Sequence, residues 1–405
     1  MAFQQGLSGL NTAGRNLDVI GNNIANANTV GFKASRTEFA DLYATSLYGA
    51  GSNAVGIGTQ VAAVAQQFTQ GDVSITSNPM DLAINGPGFF RLSSQGTVEF
   101  SRNGQFRLDR DGYIVNAGGA RLTGYQATPT GSIAVGVPTD LRLVTADVAP
   151  RATDAAAATV NLDAQAAAVG TTPFDPNNPA TYGGATSMSV FDSQGGEHTL
   201  ALYFRKTAAN TWDVIARANG GTVGTTGTLA FDTTGRLNVA GSTTPFSVPV
   251  PVGAGAGGTL NVPVDLSAVT QFGSPFAVSR VSQNGYTTGR LTGFSIGGDG
   301  TIQARYSNGQ AVAQGQVALA NFANAQGLAP LGGNRWAETA DSGQPLVAAP
   351  GAGNLGVLQS GAVEQSNVDL TGELVSMITA QRSYQANAQT IRTQDQVLQT
   401  IVNLR

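Results

Sequence analysis

The side chain with the widest chemical range in this sequence is its single histidine, His198, beside Gly195-Gly196-Glu197. A lone histidine brings no partner set for a triad or a metal site, so it is expected at a solvated hairpin turn. Gly253-x-Gly255-x-x-Gly258 has the spacing of a dinucleotide-binding turn. That turn works only when a helix follows it and offers amides to the pyrophosphate. Here Thr259-Leu260-Asn261-Val262-Pro263 follows, which is no helix. Asp109-Arg110-Asp111-Gly112 begins like a calcium loop, but Tyr113 stands at the third ligand position and the distal Glu is missing. A hairpin turn is expected instead. Neither Lys33 nor Lys206 follows a glycine as a phosphate loop requires, and the absence of cysteine excludes disulfides, thiolate metal sites and cysteine nucleophiles. Paired carboxylates for glycoside cleavage would need a separation of about 5–9 Å, which linear spacing does not encode. These residues predict no catalytic, cofactor-binding or metal site, and the chain reads as a non-enzyme.

What remains to be explained is the elements themselves. Phe3, Leu7, Leu10, Gly14, Leu17, Gly21 and Ile24 recur at steps of four and three, with Ile20 among them. Near the other end Leu370, Leu374, Met377, Gln381, Tyr384, Ala388, Ile391, Asp395, Leu398 and Val402 do the same. Each set forms one stripe on a helix with a coiled-coil-like period of about 3.5 residues. Two such helices flanking a β-rich chain need partners: first each other, then the same helices in neighbouring copies. Self-assembly is therefore the leading expectation. Gly6, Gly9, Gly14 and Gly21 weaken the first helix by roughly 1 kcal/mol each relative to Ala. It should order only when packed, where missing side chains allow close approach; an ordinary helix in a monomer core is the alternative.

Composition agrees with a packed assembly. The 405 residues favour about two to three domains, and a hydrophobic share of 41% is enough for real cores. Only 11% of residues are charged while 53 are Gly, so the surface is built from small polar side chains rather than ions. The 21 basic and 25 acidic residues form no basic cluster, which excludes nucleic acid as a partner. No apolar run reaches the roughly eighteen residues that would predict a transmembrane segment, and the N-terminus does not read as a cleavable signal peptide.

The spacing divides the chain into a terminal helical pair, 1–30 and 361–405, and a connecting segment, 31–70. Beyond these lie a discontinuous β-rich domain, 71–146 and 284–360, and a β-domain inserted into it, 147–283. The fold class is α+β, mainly β. Hairpin signals concentrate around Asn85-Gly86, Asn103-Gly104 and Asp111-Gly112. The Gly-rich stretch 51–58 leads into a strand, and 219–262 is weakly patterned. Ser366-Asn367-Val368-Asp369 offers N-cap candidates for a last helix about 50 Å long.

Three separated segments then carry a resemblance. Asn16-Leu17-Asp18-Val19-Ile20-Gly21-Asn22-Asn23-Ile24-Ala25-Asn26 followed by Thr29-Val30-Gly31-Phe32-Lys33 resembles the N-terminal signature of the bacterial flagellar rod and hook axial proteins. Asn367-Val368-Asp369-Leu370, Glu373-Leu374, Met377-Ile378, Gln381-Arg382 and Tyr384-Gln385-Ala386-Asn387-Ala388 resemble their C-terminal signature. Phe100-Ser101-Arg102-Asn103-Gly104-Gln105-Phe106 and Leu122-Thr123-Gly124-Tyr125 resemble the motif of the body. The likeness covers the whole chain and is weakest in 147–283. The opening Met1-Ala2-Phe3 and the closing Leu404-Arg405 are similar to hook members, with distal rod members as the alternative.

The resemblance implies terminal helices that pair and line a channel, with Phe3, Leu7, Leu10, Leu17, Leu374, Met377, Ile391 and Leu398 burying apolar area in a homopolymer. It implies that the discontinuous β-rich domain is the middle one and the inserted β-domain the outer one. It also implies a curved tube that bends while transmitting torque, and export by the flagellar type III apparatus. Its implied partners are the distal rod protein, the hook–filament junction protein and the hook cap protein. Within the family motif, the Asn22, Asn23 and Asn26 amides either bond exposed backbone groups where the helix bends or terminate the helix. Gly31 is expected to permit a turn ahead of Lys33, and Phe32 either anchors the connecting segment or is simply buried. Outside the family, a secreted β-rich adhesin or a tailspike-type glycosidase would leave both terminal signatures unexplained.

Overall fold

In the computed structural model two long helices hold the ends of the chain. α1 spans Ala2–Ala25 and α2 spans Leu370–Asn403. The structure describes residues 2–42, 56–128, 131–134, 136–170, 172–221 and 225–403, with Ala2 and 401–403 described by backbone alone. The Met1, Leu404 and Arg405 ends of the resemblance and the Gly-rich residues 51–55 lie outside that set. No helix among the described residues is long and apolar enough to cross a membrane. Among the described residues the regular elements between the helices are strands and four short 3-10 turns, so the architecture is α+β and mainly β, as the sequence predicts.

α2 starts where Asp369 accepts the Thr371 amide on its carboxylate at 3.0 Å, so the last of the four N-cap candidates does the capping. Asn367 has a different task, described below. After α1 the chain forms an antiparallel hairpin of β1 (Ser35–Leu42) and β2 (Gly58–Gln66). α1 lies along this hairpin: Gln5 Nε2 donates to the Gly56 carbonyl at 2.6 Å, and the Thr59 amide donates to Ser8 Oγ at 3.3 Å.

The chain divides into two units. One comprises residues 1–145, 293–305 and 311–405; the other comprises 146–292 and 306–310. In the first, antiparallel strands run in the order Ala311–Val317, Arg121–Gln126, Phe89–Ser94, Thr97–Ser101, Arg335–Ala337 and Ala329–Gly332. One face buries Leu92, Leu122, Leu141, Ile302 and Leu319. A second cluster joins Phe89, Phe100, Phe322 and Trp336, whose rings meet edge to face 4.7–6.0 Å apart, the geometry that ring quadrupoles favour. β3 (Val73–Ile75) pairs with Ala362–Glu364, and β4 (Leu82–Asn85) pairs with Val357–Ser360. These two ladders return the C-terminal end of the body to the strands that open it.

The second unit buries one core between a meander of four strands from Gly184–Phe191 to Thr225–Ala230 and a mixed sheet centred on Ala156–Asp163. The weakly patterned stretch 219–262 supplies three of its strands. In Phe246–Pro251 the residues Phe246, Val248 and Val250 point inward while Ser247, Pro249 and Pro251 point out. Alternation with proline hides the strand signal, because proline is read as a breaker. Gly253-x-Gly255-x-x-Gly258 forms a short 3-10 turn, Ala254–Ala256, followed by the strand Thr259–Asp265. At 109–113, Asp109 Oδ1 accepts the amides of Asp111 and Tyr113 at 2.9 and 2.8 Å, closing a tight turn between Phe106–Leu108 and Ile114–Asn116.

Candidate assembly interface

α1 and α2 run antiparallel and in contact. A Cβ on Gly6 would lie 3.0 Å from Ile391 Cγ1, one on Gly9 would lie 2.8 Å from the Asn387 amide, and Asn23 bonds Glu373. The two glycines are therefore what lets the helices approach so closely. A Cβ on Gly14 would meet only the Tyr384 ring edge at 4.0 Å, and one on Gly21 would meet nothing within 4 Å. The glycines at 14 and 21 are thus not needed for this pairing.

The face that α1 turns toward α2 is not its apolar stripe. Gly6, Ala13, Ile20 and Asn23 are buried, at steps of seven, seven and three, each one residue ahead of a stripe position, Leu7, Gly14, Gly21 and Ile24. One residue is about 100° around a helix, so the stripe lies beside the seam. Phe3 and Leu7 are 47% and 43% exposed, Leu10, Leu17 and Ile24 are half-buried, and Ile20 is buried. On α2 the seam follows Glu373, Met377, Ala380, Tyr384, Asn387 and Ile391, of which only Ala380 is fully buried. Met377 and Ile391 are half-buried, whereas Leu370, Leu374, Tyr384 and Leu398 remain exposed and the side chain of Val402 is not described. The two helices thus do become partners, but they spend small and polar residues on each other and leave large apolar ones uncovered.

The three asparagines of the motif divide their roles. Asn23 is buried and joins three elements. Its Oδ1 accepts the Ser35 amide at 2.9 Å, and its Nδ2 donates to the Ser35 carbonyl at 2.8 Å and to Glu373 Oε1 at 2.9 Å. Both backbone groups of the first residue of β1 are satisfied by one side chain, and α2 is tied to the same amide. Asn26 instead donates to the Asn22 carbonyl at 2.9 Å and to the Asn22 side-chain oxygen at 3.2 Å. Asn22 and Asn26 therefore finish the helix, which was the simpler alternative for all three.

Beyond the helix, Gly31 sits at φ +71°, where a Cβ would lie 2.6 Å from the Asn103 nitrogen. Both the left-handed backbone and the close approach require glycine. Phe32 is half-buried. The anchor of the connecting segment is its neighbour. Lys33 is fully buried and its Nζ donates to Glu364 Oε1 at 2.6 Å and to the Thr69 carbonyl at 2.7 Å. Glu364 also accepts Arg102 Nη1 at 3.1 Å and the Gly71 amide at 2.9 Å. Arg102 Nη2 donates to the Gly86 carbonyl at 3.0 Å and its guanidinium lies over the Phe89 ring. Asn367 completes the knot: its Oδ1 accepts the Ala34 amide at 2.7 Å, and its Nδ2 donates to the Gln67 carbonyl at 2.7 Å.

One carboxylate thus faces two buried cations. Burial pushes the Lys33 ammonium below its ordinary value, against the pull of Glu364, and it does the same to the Arg102 guanidinium. Sequence reasoning singled out Lys33 through the motif but missed Arg102, Glu364 and the reach of Asn367. The partners lie up to 333 positions apart, and no periodicity connects them. The other lysine is held in the same spirit: Lys206 Nζ donates to the Ala164 and Ala166 carbonyls at 2.6 and 2.9 Å.

His198 departs from the expected solvated turn. Its side chain is only 15% exposed and its Nε2 lies 3.0 Å from Asp192 Oδ2. Asn219 Nδ2 lies 2.9 Å from its other ring nitrogen, so both ring nitrogens have a polar partner. Asp192 also accepts the Gln194 and Gly196 amides at 2.9 and 2.8 Å. The hydrogen bond from His198, with these amides, holds the Asp192 carboxyl below its usual range. The histidine clasps a hairpin, and among the described residues no group of acidic or histidine side chains is disposed to hold a metal.

Family models match along most of the chain. The flagellar basal body rod protein model covers 3–33, and the flagellar hook protein FlgE/F/G D1 domain covers 83–161. The flagellar basal body protein FlaE D2 domain covers 161–286, and the flagellar basal body rod FlgEFG protein C-terminal model covers 359–404. Flagellar hook protein FlgE of Escherichia coli K12 is 43% identical over 411 residues, covering all of both chains. The chain belongs to the flagellar hook protein family. The hook protein of Salmonella typhimurium is also 43% identical, and that of Rhizobium meliloti is 33% identical over 100% of this chain and 98% of the relative. The crystal structure of Helicobacter pylori hook protein FlgE2 is similar in fold, with a TM-score of 0.55 at 14% identity, over 72% of this chain and 100% of that one. In this hook-family chain, α1, Asn23, Gly31 and Lys33 fall within the rod-protein match, and Glu364, Asn367 and α2 fall within the C-terminal match. The knot therefore ties the two terminal family segments to the body.

Proposed function

We propose that this chain is the structural subunit of a flagellar hook, polymerising through its terminal helices into a curved hollow tube that transmits torque from rod to filament. The observation that carries this reading is the helix pair. α1 and α2 join through Gly6, Gly9, Ala13 and Ala380 while Phe3, Leu7, Leu370, Leu374 and Leu398 stay exposed. Isolated large apolar side chains are ordinary on a surface, but stripes of them on paired terminal helices mark an interaction face. Covering one such side chain contributes at most roughly 1.5–3 kcal/mol, so a few per subunit suffice for assembly.

A bending joint also needs body contacts that exchange without large barriers. Small polar surfaces can slide with water exchange at low cost, and a chain with 11% charged residues has such surfaces. In this reading the tube ends meet a distal rod protein and a hook–filament junction protein, and a hook cap protein covers the growing tip. The subunit travels through the flagellar type III export apparatus and resides outside the cell. A distal rod role is disfavoured by the full-length correspondence with hook proteins.

The test is assembly of the purified full chain, followed by negative-stain electron microscopy, beside a version lacking residues 2–22 and 371–405. That cut spares Glu364 and Asn367, so the knot stays closed. Tubes from the full chain and a folded but monomeric truncated form are expected. Tubes from both forms, or from neither, would remove the terminal helices from this role.

A further inference from the structure

Beside the α1–α2 seam runs an open groove of about 730 Å³, bounded by both helices and the β1–β2 hairpin. Gly9, Ala13 and Ala380 lie deep in it, and Phe39, Thr379 and Ser383 line its exposed rim. Among the described residues its lining carries no charge. The apolar ridge Phe3, Leu7 and Leu10 points elsewhere. At 100° per residue it stands about a third of a turn around α1 from Gly9 and Ala13.

We propose that this groove receives the Phe3, Leu7 and Leu10 ridge of a second copy of the chain. The inference rests on the hook reading and deepens it. The chemistry matches, because residues 2–14 of α1 carry no charged side chain and the groove offers small residues as holes for large apolar knobs. The lengths match as well: the groove follows α1 from Gln5 to Asn16, and the ridge occupies two turns. The groove is continuous with the helix seam, so a docked ridge extends packing that already exists. Geometry decides what kind of contact results. Ridge and groove lie on different faces of one rigid helix, so a copy cannot fill its own groove. The contact joins unlike surfaces and leaves one free ridge and one free groove at opposite ends of any chain of copies. Such heterologous contacts propagate into open helical polymers rather than closed dimers.

The absence of cysteine gives a direct test. Copies carrying only Leu7→Cys are mixed with copies carrying only Ser383→Cys, assembled and oxidised. Covalent dimers from the mixture, with none from either variant alone, are expected. Dimers from Leu7→Cys alone would overturn the proposal by showing ridge against ridge. Tubes without 7–383 dimers would overturn this contact and leave the hook reading standing, whereas failure of the unsubstituted chain to form tubes would overturn both. Ser383→Trp provides a second measurement that needs no disulfide. It fills the groove while keeping the ridge, so a tenfold-substoichiometric amount added to the unsubstituted chain should shorten the tubes; unchanged lengths count against the proposal.

Discussion

Glu364→Gln is the most informative single change in the buried knot. The substitution keeps the shape and one acceptor but removes the only negative charge among the described residues that pairs with Lys33 and Arg102, whose side chains are 0% and 4% exposed. Removing one partner of a buried ion pair costs about 3–5 kcal/mol, because the other charge stays desolvated. Lys33→Met should cost less, about 1–2 kcal/mol. It leaves Glu364 paired with Arg102, and the Thr69 carbonyl keeps a donor in Asn367 Nδ2 at 3.2 Å. The decisive quantity is the sign of Lys33→Met in the Glu364→Gln background. There it removes an uncompensated buried cation, so it should restore stability.

The pH dependence follows from the same site. Lys33 has a folded-state pKa below its unfolded value, so the unfolded chain binds that proton more tightly. The resulting penalty is present below the folded pKa and fades as pH rises through it toward the unfolded value. The defect of Glu364→Gln should therefore shrink in alkaline buffer. Urea unfolding followed by Trp336 fluorescence in a Trp212→Phe background reports the unit that holds the knot, since the two tryptophans lie in different units. A loss below about 1 kcal/mol for Glu364→Gln, or a further loss on adding Lys33→Met, would refute the reasoning.

Other changes test the neighbouring parts. Asn23→Ala leaves both backbone groups of Ser35 and one Glu373 oxygen without their partner, so a loss of about 2–4 kcal/mol is expected by urea unfolding, against less than about 0.5 for the exposed Asn22→Ala. Gly9→Leu should separate α1 from α2 and abolish tubes in electron micrographs. Gly21→Ala meets no atom within 4 Å and should stabilise α1 by roughly 1 kcal/mol in thermal unfolding; loss of tubes from Gly21→Ala alone would place a neighbouring copy against that position. The Asp192 carboxyl is held below its usual range by His198. Its contribution is therefore present above the unfolded carboxylate pKa and lost as pH falls through the folded one. Trp212 fluorescence should show Asp192→Asn narrowing the stability gap to the unsubstituted chain at acid pH.

Period and punctuation made much of this protein legible in its sequence. Apolar residues at steps of four and three marked both terminal helices, and Asn-Gly and Asp-Gly pairs marked hairpins, because helix and strand periodicities and turn chemistry act over a few residues. The three separated signatures placed the family. The same local character explains what stayed hidden. The α1–α2 seam runs one residue away from the apolar stripe, through Gly6, Gly9, Ala13 and Asn23, since close approach selects small side chains that hydropathy does not register. The strand Phe246–Pro251 was concealed by its outward prolines, and His198 gained Asp192 and Asn219 only through the fold of its hairpin. Arg102 and Glu364 read in sequence as ordinary charges, and Lys33 only as a member of the family motif. Only the tertiary structure decided that they share one buried site, because a buried charge is tolerated solely where its partners are supplied, and those partners are set by three-dimensional closure of the two chain ends onto the body.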